Sequence, residues 1–213
     1  NDDALKRLAH LADFFLLHNR DILTRVDDSV LRVMAGTPRL IRRARGYAPA
    51  PLALAQPCED TLACGAAMKN TFCLVRNNEA CLSQHIGELD NTETFDFYLE
   101  SINHLKKVLQ CHPGRLVCDL HPDYLSSRYA RSLPQKAIRV QHHHAHALAV
   151  MAEHGLDEPV LALVLDGTGY GDDGTVFGGE LYEVSRRGYQ RLASLASLPL
   201  PGGDQAVLEP WRL

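Results

Sequence analysis

No stretch of the sequence approaches the roughly 20 consecutive apolar residues that a bilayer-spanning helix needs, so no membrane partner is expected. The opening Asn1-Asp2-Asp3 is acidic where a secretory signal is basic. An excess of one charge is also missing. The 22 Lys and Arg against 26 Asp and Glu leave a net charge of -4, which gives no electrostatic reason to bind nucleic acid. The one basic cluster is Arg39, Arg42, Arg43 and Arg45. No C-x-x-C pair occurs among Cys58, Cys64, Cys73, Cys81, Cys111 and Cys118, so a cysteine zinc site has no local nucleus. Several of these cysteines lie in apolar runs such as TFCLV and RLVCDL, where a free thiol packs as a small hydrophobe. They read as reduced and buried, and the protein as cytoplasmic. What is present is ordinary for a globular chain: 213 residues, 46% hydrophobic and 23% charged, enough for one large or two modest domains with a real core.

The composition shifts near Tyr47-Ala-Pro-Ala-Pro-Leu, which places a linker at residues 51–57. Upstream, ALKRLAHLADFFLL has helical spacing, while VDDSVLRVM and PRLIRRA read as strands joined by a turn at Gly36. About fifty residues cannot form an independent core, so residues 1–50 are expected to be the end of a domain. Downstream, LACG, TFCLVR and EACLSQ read as three strands. The last two meet at Asn77-Asn78, which tolerates the positive φ of a tight hairpin. A helix follows over residues 92–110, with Phe95, Leu99, Ile102, Leu105 and Leu109 on its buried stripe. Then come strand RLVCD, a helix around DYLSSRYARSL, strand AIRVQ, helix HHAHALAVMAEH and strand VLALVLD.

This β-β-β-α-β-α-β-α order predicts an α/β domain, with a ribonuclease-H-like half over residues 58–158. After VLALVLD the pattern restarts with strands TVFGGELYEV and YQRLASLASL. The expectation is a weak structural duplication over residues 159–213 that stops partway.

VQHHHAHA, residues 140–147, puts four histidines in five positions. On a helix, positions four apart lie above one another, so His142 and His146 can share one metal ion. The pattern lacks the glutamate of a zincin protease. Incidental histidines at a polar helix start explain it about as well. Asp166, read as the end of strand VLALVLD, would share the ligand-facing carboxyl edge of the sheet with His142. Two histidines and a carboxylate suit zinc, iron or manganese. The plain alternative makes Asp166 a turn residue before Gly167.

Gly167, Gly169, Gly171, Gly178 and Gly179 open into a strand, so they are no dinucleotide fingerprint. They fit a hairpin whose backbone N–H groups approach phosphate, or a tight hairpin with no ligand. Lys69 and Asn70 occupy the matching turn of the first repeat and read as phosphate contacts or an ordinary exposed turn. In DLHPDY, Asp119 ends a strand on the edge expected for Asp166. His121 and Asp123 have the chemistry of proton carriers, or of a helix start.

Taken together, FLLHNRDI, RVDDSV, RRARGYAP, KNTFCL, LSQHIGELDN, DLHPDYLSSRYA, VQHHHAHALAVMAEHG, DGTGYG, FGGEL and LPLPGGD…EPWR resemble the HypF family of [NiFe]-hydrogenase maturation. The resemblance implies a carbamoyltransferase that uses carbamoyl phosphate and ATP with Mg, and passes the carbamoyl group through a carbamoyl adenylate to the C-terminal cysteine of HypE. It implies that residues 1–50 end a YrdC-like domain, with Ser29, Arg43 and Arg45 as its site residues. Residues 58–213 would begin a transferase domain of the actin/sugar-kinase-like superfamily. His142, His146 and Asp166 fall on metal positions, for zinc or iron. Asp119, His121 and Asp123 become catalytic candidates, and Lys69, Asn70 and the glycines nucleotide contacts. Ala66-Ala67 replaces the expected small-acidic pair before KNTF. The missing segments imply a fragment that is inactive alone. The rival classes are a metal-dependent hydrolase and a non-catalytic metal- or nucleotide-binding assembly module.

Overall fold

A computed structural model describes residues 2–199, 201–203, 205–206 and 209–212. Leu200 and Asp204 of LPLPGGD lie outside the described residues. The expected N-terminal helix is shorter than its pattern: α1 covers Asp2–Leu8 and buries no residue. An isolated helix of this length is marginal in water, and without a packing surface the apolar stripe beyond Leu8 has nothing to hold it. Strands β1 (Val30–Met34) and β2 (Thr37–Arg42) form an antiparallel hairpin turned at Ala35 and Gly36, both at positive φ.

The short strand β3 (Leu52–Ala53) lies inside the proline- and alanine-rich stretch and pairs antiparallel with Glu79 and Ala80. From there the elements run β4 (Thr61–Ala63), β5 (Cys73–Arg76), β6 (Glu79–Leu82), α2 (Thr92–Val108), β7 (Arg115–Asp119), α3 (Leu125–Ser132), β8 (Ala137–Val140) and α4 (His142–Glu153). The six-stranded sheet is ordered β3-β6-β5-β4-β7-β8, with β4, β7 and β8 parallel and the rest antiparallel. This is a mixed-sheet α/β fold.

The β5–β6 turn forms as the dipeptide dictates, with Asn77 at φ 51° and Asn78 at φ 64°. Helix α2 starts where the Asn91 side chain accepts the Thr94 N–H at 2.8 Å. Its inner face buries Tyr98, Ile102 and Leu105 against Leu62, Leu74 and Leu116 of the sheet and against Phe72 just before β5. Each fully buried side chain of this size contributes about 1.5–3 kcal/mol.

The second repeat forms a separate three-stranded antiparallel sheet, β11-β10-β9, from β9 (Val160–Tyr170), β10 (Val176–Ser185) and β11 (Gly188–Ser194). One face of it packs on α4, where Ala147 and Met151 meet Tyr182, Val184, Ala162 and Val164. Helix α4 therefore follows a strand of the first sheet and rests on the second. Among the described residues, no helix is long and apolar enough to cross a membrane.

Candidate metal centre

The parallel arrangement of β4, β7 and β8 brings their carboxyl ends to one edge, and two of those ends carry chemistry. Asp119 is the last residue of β7, and β8 leads through Gln141 into α4. The Gln141 side-chain oxygen accepts the His144 N–H at 2.8 Å, which caps the helix and fixes its first turn. His142 and His146 then stack on one face, with their Nε2 atoms 3.2 Å apart.

Asp166 joins them from β9. The sequence placed it at a strand end, but β9 runs on to Tyr170 and Asp166 lies within it. The register explains how its side chain is aimed. Between the pairs Leu165↔Gly179 and Gly169↔Phe177, β9 advances four residues while β10 advances two. Such a bulge turns a side chain away from its regular direction. The ligand atoms of His142, His146 and Asp166 lie within 4.8 Å of one another. Asp166 Oδ2 is 2.9 Å from His142 Nε2 and 3.7 Å from His146 Nε2.

His142 Nδ1 lies 2.6 Å from Asp119 Oδ2, and Asp119 Oδ1 accepts the His121 N–H at 2.8 Å. The Asp119 side chain is only 6% exposed, so its carboxylate holds the proton of His142 on Nδ1. The Nε2 lone pair of His142 then faces Asp166 Oδ2, a buried oxygen with no hydrogen-bond donor. Two imidazole nitrogens and a carboxylate oxygen converging on one point repel unless a cation lies among them. The residues therefore fit a divalent ion of the zinc, iron or manganese kind.

Without an ion, a proton takes part of that role. The hydrogen bond to Asp119 raises the pKa of His142 above its ordinary value, against the effect of burial and with help from Asp166. His146 moves the other way, because burial and the neighbouring His142 disfavour its charge. His146 is also the open side of the cluster, with its side chain 55% exposed.

A groove of about 480 Å³ reaches the cluster along Ala63, Gly65, Ala66, Asp119, His142 and His146. Its first loop has a feature that sequence reading passed over. Gly65 has φ +69°, and a Cβ there would lie 2.1 Å from the Thr71 carbonyl oxygen. Tyr98 donates to the Cys64 carbonyl and Ser126 to that of Gly65. The glycine that closes the strand-like run LACG was the available signal.

Lys69 is not among the residues lining that groove; its exposed backbone N–H donates to Glu88. Asn70 is buried, and its amide holds the Cys64 carbonyl. His121 stacks on Tyr124 with centroids 4.0 Å apart, and its Nδ1 accepts the N–H of the exposed Asp123. Gly169, Gly171 and Gly179 have their Cβ positions occupied by His143, Phe177 and Leu195; that of Gly178 meets the Gly167 and Asp166 carbonyl oxygens at 3.6 and 3.8 Å, and that of Gly167 is open. Away from this edge, Ser29 bridges the Ala44 N–H and the Arg45 carbonyl, Arg43 donates to Tyr47 and Ala50 carbonyls, and Arg45 donates to the Val26 carbonyl.

Two family models match: "HypF Kae1-like domain" over residues 56–153 and "Carbamoyltransferase, Kae1-like Domain, second subdomain" over residues 162–213. Among curated proteins, carbamoyltransferase HypF2 of Cupriavidus necator is 50% identical over the whole chain, which spans 27% of that relative. Carbamoyltransferase HypF of Rhizobium leguminosarum bv. viciae is likewise 50% identical, with 28% of it spanned. The probable carbamoyltransferase HypF of Methanocaldococcus jannaschii is 36% identical, with 29% spanned. A crystal structure of full-length HypF in a phosphate- and nucleotide-bound form superposes at TM-score 0.93 and 48% identity, over 97% of this chain and 33% of that one. The HypF of T. kodakarensis gives TM-score 0.89 at 40% identity, over 97% of this chain and 28% of that one.

Proposed function

Because the chain belongs to the HypF family, we propose that it provides the metal-binding wall of a carbamoyltransferase site of [NiFe]-hydrogenase maturation. The reaction passes a carbamoyl group from carbamoyl phosphate, through a carbamoyl adenylate made with ATP and Mg, to the C-terminal cysteine of HypE in the cytoplasm. Nucleic acid and membrane play no part. The observation that carries this reading is the convergence of His142, His146 and Asp166 on one point, with Asp119 behind His142.

In this reading His142, His146 and Asp166 hold zinc or iron. When bound, such an ion polarises the carbonyl or phosphate oxygen of a mixed anhydride toward attack by a thiolate. Asp119 keeps the proton on Nδ1 of His142, which leaves Nε2 free to coordinate. His146, on the open side, sets the direction from which substrate arrives. His121, anchored by its backbone to Asp119 and stacked on Tyr124, stands beside this edge as a proton carrier with Asp123.

Gly167, with open space above its backbone, is the point where phosphate approaches, and Gly178 lies against it on β10. Gly169, Gly171 and Gly179 permit the packing of the hairpin that presents them. Lys69 and Asn70 complete the nucleotide side, Lys69 by charge and Asn70 by shaping its loop. Ser29, Arg43 and Arg45 belong to a YrdC-like part that precedes the transferase. The strand order β6-β5-β4-β7-β8 supports reading the first sheet as a ribonuclease-H-like half.

The test is ATP-dependent transfer of label from carbamoyl phosphate to a HypE C-terminal cysteine, run with full-length protein bearing this sequence and with its His142→Ala and Asp166→Ala variants. Both variants are expected to lose labelling. Undiminished labelling in both would remove the metal from the mechanism, and hydrolysis without transfer would favour a hydrolase.

A further inference from the structure

The three donors come from two elements that have no backbone pairing with each other. His142 and His146 belong to α4, and Asp166 to a bulge in β9. A coordination site needs its donors held to within about half an ångström, so something must set the distance between helix and strand. The residue between them is His143, which the proposed reaction leaves without a task.

His143 is completely buried, with Phe177 and Tyr182 of β10 at centroid distances of 6.4 and 6.3 Å. Its ring occupies the space where a side chain at Gly169 would begin. A Cβ at that glycine would sit 2.4 Å from His143 Cε1 and 3.1 Å from His142 Cδ2. One residue further along, the Gln141 amide reaches the Tyr170 carbonyl at 3.4 Å and also lies 3.1 Å from His143 Nδ1. An amide nitrogen only donates, so Nδ1 accepts and the ring proton sits on Nε2. That Nε2–H is buried without a partner. An unpaired buried donor is unfavourable, so an apolar ring would suit the packing better. What imidazole adds over an apolar ring is the Nδ1 lone pair, which orients the same Gln141 amide that grips β9.

We propose that His143 is a positioning residue of the metal centre: its ring against Gly169 and its Nδ1 on Gln141 lock the first turn of α4 to β9, so that His142 and His146 meet Asp166. This inference rests on the metal reading above. The clamp closes at residues 169 and 170, just after the bulge that aims Asp166. Its loss lets helix and strand separate while leaving all three ligands in the chain.

Cobalt(II) titration of the full chain, followed by visible absorbance, reads both affinity and coordination geometry. His143→Ala and Gly169→Ala are each expected to weaken binding about ten- to a hundredfold, the usual cost of losing a group that orients a ligand, and to alter the cobalt spectrum. His143→Asn keeps an acceptor near the Nδ1 position and should recover most of the affinity and the parent spectrum. In the Gly169→Ala/His143→Ala double variant the new methyl fills the vacated space, so the combined loss should be smaller than the product of the single losses.

Circular dichroism establishes which variants are folded. If His143→Ala does not fold, Gly169→Ala and the double variant decide. A folded His143→Ala with parent affinity and spectrum, or single losses that simply multiply, would overturn the lock. A parent chain that binds no cobalt would instead remove the metal reading, and the lock with it.

Discussion

Strands β4 and β9 occupy the same place in two similar meanders, each pairing antiparallel with the strand that follows. Strand β4 also has β7 on its other side, and its Leu62 is 1% exposed. Strand β9 is an edge strand among the described residues, and Leu161, Leu163 and Leu165 on one face are 66–73% exposed. Yet VLALVLD is the more apolar sequence of the two. Burial here is decided by which helices and strands cross over a face, and a strand's own hydrophobicity sets only what it gains when covered. The candidate site straddles the two sheets, taking Asp119 from the buried one and Asp166 from the open one.

The sharpest way to break this comparison is to truncate equivalent leucines. Leu62→Ala should cost about 2–5 kcal/mol through transfer and cavity effects, while Leu163→Ala should stay within about 0.5 kcal/mol. Urea denaturation of both variants measures the difference. Equal losses would mean that the outer face of β9 is covered in solution.

Metal should narrow the gap between the two sheets. An ion joining α4 to β9 stabilises the state that binds it, by about 2.7 kcal/mol at a hundredfold excess over its dissociation constant. The gain should appear as slower amide exchange in β9 and β10, with little change in β4 and β5. His146→Ala should abolish it. Uniform protection of both sheets would show that metal acts on the whole fold.

These contrasts also explain what the sequence could tell. The Asn77-Asn78 turn and the stripe of α2 are local, set by residues within a few positions, and they form as read; the Asn91 cap is equally local. The pair His142 and His146 was legible from helical spacing alone. Asp166 converges with that pair from within β9 and not from a strand end, because the bulge that aims it depends on how β10 pairs across from it. The contact between Asp119 and His142 spans 23 positions and arises only from parallel pairing of β7 with β8. Burial of His143 depends on the second sheet closing over α4. The N-terminal pattern failed for the converse reason, since a helical stripe without a partner surface is not stable.

Asp119→Asn tests the bridge from the buried side. The amide keeps the shape and most of the packing but no longer attracts the Nδ1 proton of His142. Metal affinity should fall about 10–100-fold, equivalent to roughly 1.4–2.7 kcal/mol. Calorimetric titration with zinc measures it. An unchanged affinity would make Asp119 a neighbour of the site and not its support.

The smallest effect is the dependence on pH, and its sign follows from the shifts within the cluster. His142 has a raised pKa in the metal-free chain, mainly through Asp119. It therefore contributes stability that is complete below the ordinary histidine value of about 6.5 and fades as pH rises through the raised value. His143 and His146 have lowered values because of burial, so they cost stability as pH falls below about 6.5. In the metal-free chain these effects act on opposite sides of about pH 6.5, so stability should peak near that value. It falls above it through His142 and below it through His143 and His146, with His85 and His144, also lowered by burial, adding to the acid loss. Metal removes the His142 loss above about pH 6.5, because a coordinated His142 cannot also carry the second proton. Metal-bound protein should thus lose stability steadily as pH drops, by up to about 1.4 kcal/mol per pH unit for each proton competing with the ion. Urea midpoints between pH 5.5 and 8, with and without zinc, give both slopes. Asp119→Asn should move the acid weakening of zinc binding to lower pH, since the cause of the raised His142 value is gone. A zinc-independent pH profile would place the titrating histidines elsewhere in the chain.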